Sequence, residues 1–200
     1  MDIDIANIKV IDLETTGYSP NIPKSYPEGT LNSIKNPLGS EIIEIGLTEL
    51  NNLKIGKNYS RLIKPKKKVP SNITELTHIT NNMLIGQKSL EEVLPKFRQY
   101  IGNSLIIGHN VGFDLRFLNY YLELMNLPII TKYICTMDML KNTGSYKGKN
   151  NKLGTAVEYY NLKLLNAHRA YADTNATAQL FLKLLEETGL KINNLIKTFK

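Results

Sequence analysis

Residues 10–17 read VIDLETTG, and the fold turns on that stretch. An apolar run from Ile8 to Leu13 ends in acids and then Thr-Thr-Gly, the pattern of a buried strand entering a turn. Asp12 and Glu14 stand two apart, so on a strand they project from one face. They also fall at its C-terminal end, where α/β sheets place their ligand sites. An unpaired charge in an apolar strand is costly to desolvate. The pair therefore either ends the strand at the surface or serves a ligand, and the stretch alone leaves both readings level.

Outward from it the chain alternates strand-like and helix-like patterns. Glu41 to Leu50 carries Ile43, Ile45 and Leu47 at period two, a half-buried strand, and Lys57 to Ile63 can pair antiparallel beside it. Leu90, Val93, Leu94, Phe97 and Ile101 follow helical spacing. A brief strand at Leu105–Gly108, a helix from Phe117 to Met125 and a strand at Tyr133–Met137 come next. Two helical stripes follow, the second stopped by Gly189. This order predicts an α/β fold, a mixed sheet covered by helices, in one domain over residues 1–200. Residues 18–40, with four of the eight prolines, form a long irregular loop, and 141–152 (KNTGSYKGKNNK) form a basic flexible loop.

Composition narrows the class. The 200 residues carry 25 basic and 18 acidic side chains, a net charge of +7, which favours encounter with a polyanion such as a phosphate backbone. Seven of the basic groups, and no acid, sit in 54–68 (KIGKNYSRLIKPKKK), a run expected either to hold a nucleic-acid backbone or simply to be solvated. The single cysteine, Cys135, excludes an intramolecular disulfide framework and fits a cytoplasmic setting. The acidic N-terminus does not read as a signal peptide, and no run is long enough to span a bilayer, so no membrane partner is expected.

Two more acids and a histidine share the pattern of Asp12 and Glu14. Asp114 follows the apolar LIIGHNVGF and opens a helix; Asp173 opens another, five residues after His168. A lone aspartate in a first helical turn is explained by the helix dipole. The set is more specific. VIDLETTG, HNVGFDLRFL (109–118) and HRAYADTNATAQLF (168–181) resemble, in order and spacing, the three motifs of the DEDDh family of 3′–5′ exonucleases. That family includes the proofreading epsilon subunit of bacterial replicative DNA polymerase, RNase T and oligoribonuclease. EIIEIGLTEL (41–50) resembles its second strand, and VPSNITELTHIT (69–80) its proline-to-LTGIT segment.

The resemblance implies a ribonuclease-H-like fold with a five-stranded mixed sheet. It implies two divalent ions, Mg²⁺ or Mn²⁺, held by Asp12, Glu14, Asp114 and Asp173, a donor type that suits such hard ions. It makes His168 the general base, and Thr15, Leu76, Phe113 and His168 substrate contacts. The implied substrate is a single-stranded or frayed 3′ end of DNA, with a DNA polymerase or other replication proteins as possible partners. RNA or oligoribonucleotide hydrolysis is the alternative, and a non-catalytic nucleic-acid-binding or polymerase-docking module a more distant one. One departure stands out: His78 occupies the glycine position of LTGIT. It leaves open a base-stacking, a pocket-restricting and an outward-pointing role.

Overall fold

The computed structural model describes residues 4–20, 39–164 and 167–199; the greater part of the 18–40 segment lies outside the described residues. Strands β1 (Asp4–Thr15), β2 (Ile42–Asn51) and β3 (Lys54–Leu62) precede helix α1 (Ser71–Thr77) and helix α2 (Leu90–Ile101). Then come β4 (Ser104–Gly108), α3 (Gly112–Leu124), β5 (Lys132–Cys135), α4 (Thr136–Asn142), α5 (Leu153–Tyr159), α6 (Ala170–Thr188) and β6 (Lys197–Thr198). The sheet runs β3-β2-β1-β4-β5-β6. β1, β4 and β5 run parallel to one another, while β2, β3 and β6 pair antiparallel, so the sheet is mixed as expected.

Six strands form where five were expected. The sixth is two residues long, too short for any alternation, and is fixed from a distance by Phe199, whose ring lies 6.4 Å from that of Tyr133. The strand expected over Tyr133–Met137 stops at Cys135, and Thr136 already begins α4. β2 is not half-buried. Its burial is continuous from Ile42 to Thr48, because β3 and β1 flank it and α6 covers the face that alternation would have left wet.

Two cores sandwich the sheet. On one side Ile11 and Leu13 of β1 pack with α2 and α3; on the other Ile8 and Val10 pack with Ala178, Leu180, Phe181 and Leu184 of α6. Strand alternation then assigns Asp12 and Glu14 to the α6 side. The two fully buried phenylalanines, Phe117 and Phe181, mark the centres of the two layers.

A contact between β2 and α6 sets where that helix can start. A Cβ on Gly46 would lie 2.3 Å from the carbonyl carbon of Ala170, the first residue of α6. Only glycine lets the helix N-terminus seat on the sheet. Gly46→Ala must push α6 outward, and a melting temperature lowered by several degrees is expected, at the ~1–3 kcal/mol typical of overpacking. An unchanged melting temperature would show that the helix has room to spare.

Candidate active site

The C-terminal end of β1, the β4–α3 junction and the start of α6 converge. One carboxylate oxygen each from Asp12, Glu14 and Asp173 lie within 4.8 Å of one another. Asp114, in the first turn of α3, accepts a hydrogen bond from the Leu13 amide at 3.0 Å, which pins it to the segment between the two β1 acids. The four acids named from the sequence therefore meet in one place.

Their electrostatics show a strained cluster. Burial, then repulsion from Asp114, Glu14, Asp173 and Glu44, holds the Asp12 carboxyl well above the usual range. Burial and neighbouring acids push Glu14 up to about 8, with Arg169 giving some relief. Burial likewise raises Asp114 to about 8 and Asp173 to about 6, each partly opposed by a backbone amide, that of Leu13 and that of His168. Hard oxygen donors, packed together and short of positive charge, suit divalent cations of the Mg²⁺ type.

That strain fixes a pH dependence. A carboxyl whose native pKa lies above its unfolded value favours folding at low pH, and the advantage disappears as pH rises between the two. The metal-free protein should lose melting temperature from about pH 4 to about pH 8, the interval spanned by Glu14 and Asp114. Glu49, held near 2 chiefly by Lys9 and Tyr100, has made its contribution below that window. His109, pushed down by burial, works in the opposite sense but is one group against four. Melting in EDTA at pH 5 and pH 8 checks this, with Mn²⁺ expected to restore the loss at pH 8. A flat or rising profile in EDTA contradicts it.

His168 sits just before α6 with φ 63°, in the left-handed region, and its N–H donates to Asp173 Oδ2 at 3.0 Å. That bond ties the histidine's backbone to one of the acids, while the residue itself is exposed. Thr15 is buried, and its hydroxyl donates to the Gly17 carbonyl at 2.6 Å, closing the turn after β1. Phe113 is half-buried beside Phe117, ring centroids 5.1 Å apart, with the Arg116 guanidinium 5.8 Å over its ring. Leu76 is 45% exposed on α1.

His78 caps α1 with φ 58° and ψ 13°, its N–H donating to Thr74 O at 2.8 Å. The backbone there takes the conformation glycine adopts without penalty, so the histidine carries strain that a glycine would not. His78→Gly should raise stability by roughly 1 kcal/mol, read as the shift in a denaturant midpoint. A drop would mean the imidazole makes a compensating contact.

Sequence reasoning missed one pair. Glu44 lies opposite Glu14 in the β1–β2 register and is fully buried. Its carboxylate accepts from Arg169 Nε at 3.1 Å, Arg169 Nη2 at 3.0 Å, the Ala170 amide at 3.1 Å and Ser60 Oγ at 2.6 Å. With four donors it is fully committed to seating α6. Glu44→Ala would leave Arg169 and the helix N-terminus without their acceptor. A loss of about 3 kcal/mol is expected, the low end for a broken buried pair, since Arg169 is a quarter exposed. The available signal was an acid inside an apolar strand; the partner, 125 residues away, was not readable.

The exonuclease family model of the RNase T type matches residues 10–181. The chain is 35% identical over 182 residues to a DNA polymerase III of PolC type from Thermotoga petrophila, covering 90% of this chain and 12% of that protein. It is 32% identical to a DNA polymerase III subunit epsilon from Aquifex aeolicus, covering 91% of this chain and 82% of the subunit. The chain thus spans about an eighth of the PolC-type relatives it matches. Among solved structures, the nuclease domain of 3′hExo, a DEDDh family member bound to rAMP, superposes with a TM-score of 0.71 at 19% identity, over 93% of this chain and 95% of that one.

Proposed function

Because the chain belongs to the exonuclease family whose model its residues 10–181 match, we propose that it removes nucleotides one at a time from the 3′ end of single-stranded or frayed DNA. The observation that carries this reading is the convergence of Asp12, Glu14 and Asp173, with Asp114 pinned beside them and mutual repulsion holding Asp12 high. Asp12, Glu14, Asp114 and Asp173 would hold two divalent ions, Mg²⁺ or Mn²⁺, whose charge stabilises the attacking and leaving oxygens of an in-line displacement. The fifth carboxylate, Glu44, is cancelled by Arg169, so four ionised ligands and two such ions balance.

The chain's own groups do the rest. His168, exposed at the mouth of the cluster, takes a proton from the attacking water as its oxygen bonds to phosphorus. As that bond forms, the one from phosphorus to the 3′ oxygen of the preceding nucleotide breaks; the leaving oxygen takes a proton from solvent to become the new 3′-hydroxyl, and a nucleoside 5′-monophosphate is released. Thr15 and the strand end beside it hold the terminal 3′-hydroxyl, and Leu76 and Phe113 border the terminal base. Such a role fits work alongside a DNA polymerase or other replication proteins. Among the described residues no helix is long and apolar enough to cross a membrane.

Matched DNA and RNA strands, each labelled at the 5′ end and digested in Mg²⁺ and in Mn²⁺, test the reading. DNA is expected to shorten stepwise and faster. Faster RNA digestion overturns the DNA assignment, and no shortening of either overturns the exonuclease.

Grip should come from part of the basic run only. Beyond β3, the Lys66 and Lys67 amides donate to the Glu41 carboxylate, while the Glu41 backbone pairs with Thr16 at the end of β1. Lys67 and Lys68 are exposed, without an ion-pair partner among the described residues, and would meet the strand entering beside the end of β1; Lys66 pairs with Glu91. Lys67→Glu with Lys68→Glu should raise KM and leave kcat alone. The salt dependence of strand binding should flatten by roughly 0.7 in log–log slope for each phosphate no longer neutralised. Unchanged KM and slope return both lysines to the solvated surface.

A further inference from the structure

The rest of the basic run faces elsewhere. Asn58 and Ser60 of β3 turn toward α6, bonding Thr48 and Glu44, so Tyr59 and Arg61 project from the opposite face, away from the catalytic acids. There a groove of about 450 Å³ opens between β3 and α2. Its floor is apolar: Val93 and Phe97 are buried, and Tyr59 lies 6.4 Å from the Phe97 ring. Its walls carry Lys57, Arg61, Lys88 and Lys96, and none of these four forms an ion pair among the described residues. The one acid in the lining, Glu92, is occupied in accepting from the Ser89 amide at 2.9 Å.

β3 is also the edge of the sheet. The Ile63 amide bonds inward to Ile43, and the next, Lys64, donates outward to Lys88 at 2.9 Å before the chain departs into α2. By the same alternation the backbone groups of Asn58, Ser60 and Leu62 point outward along the strand. The chain itself begins a pairing on this edge and then abandons it.

We propose that this groove docks an acidic, extended segment of a partner polypeptide, which adds as a strand along β3 and sets an apolar side chain on the Tyr59–Phe97 floor. Backbone pairing supplies affinity in such strand addition, and the pockets beside it supply selectivity. The four unpaired cations select acidic side chains. A nucleic-acid strand fits less well. Phe97 is too buried to stack on a base, and the Tyr100 ring is capped on one face by Lys9 at 5.0 Å with its hydroxyl donating to Glu49. An open strand edge, moreover, matches a peptide backbone rather than a phosphodiester. The proposal is independent of the nuclease reading, since the groove lies across the sheet from the acids.

The probes are a fluorescein-labelled peptide Asp-Thr-Phe-Thr-Glu-Thr-Glu, whose acids and aromatic ring share one strand face, its counterpart with lysine for every acid, and a dT12 strand, each titrated against the intact chain. The acidic peptide should bind, perturb the amide resonances of Asn58, Ser60 and Leu62, and weaken at least tenfold against Lys57→Glu with Arg61→Glu and Lys96→Glu. DNA digestion by that variant should be unchanged, which also shows that it folds; Lys96→Glu alone should give a smaller loss in the same direction. Absence of acidic-peptide binding, equal binding of the lysine peptide, or amide shifts away from β3 overturns the proposal. Loss of dT12 binding in the triple variant also overturns it and assigns the groove to nucleic acid.

Discussion

Asp12→Ala should reduce strand cleavage by at least about 10³-fold, because metal-derived charge stabilisation is worth several kcal/mol and each ~1.4 kcal/mol is a factor of ten. The fold should survive the change. Asp12 packs no core; it faces the α6 side at the end of β1 and is repelled by Asp114, Glu14, Asp173 and Glu44. Removing it lifts that repulsion, so the metal-free variant should melt at or above the temperature of the parent near pH 8. Cleavage and melting move in opposite directions, a combination that general misfolding cannot imitate. Near-normal turnover in Asp12→Ala would sink the metal assignment. A lower melting temperature would show that the cluster is less strained than its burial indicates.

His168→Ala should lower kcat on the order of 10²–10⁴-fold, the span for a general base, with little change in metal affinity. The separation is testable because the side chain and the backbone of this residue have different duties. The backbone N–H holds Asp173 at 3.0 Å and persists in the alanine variant, so the ligand set stays in place. Alanine must still adopt φ 63°, which costs about 1–2 kcal/mol in an L-residue and is already borne by histidine. His168→Gly therefore serves as a partner variant: it loses the same base while relieving the backbone. Equal kcat losses in the two variants locate the defect in the imidazole. A Mn²⁺ affinity that collapses in both would move His168 into the coordination shell.

Much of this site was legible because its chemistry is local. VIDLETTG encodes both the strand and, through period two, the shared face of Asp12 and Glu14, and the acids at 114 and 173 each open a helix at the same end of the sheet. What escaped the sequence depends on contacts between distant segments. The Glu44–Arg169 pair joins β2 to α6 across 125 positions, and the need for glycine at 46 exists only because Ala170 descends on it. The basic run looked like one feature, yet strand alternation turns Arg61 to the α2 face, while Lys67 and Lys68 lie exposed beyond the end of β3. Period two separates Arg61 from Ser60 and Leu62, but the face that carries the convergent acids had to come from the fold. The extra strand β6 has no pattern at all and is set by packing of Phe199 on Tyr133.

The central claim is that the convergent acids make a divalent-metal-dependent 3′–5′ exonuclease. Its most direct test is digestion of a single 5′-labelled DNA strand by the parent and by Asp12→Ala, with Mg²⁺ or Mn²⁺ titrated in from EDTA. One-nucleotide shortening from the 3′ end is expected in the parent, appearing only as the ion is added and absent in the variant. Shortening that persists in EDTA, that is equal in Asp12→Ala, or that never appears with either ion contradicts it.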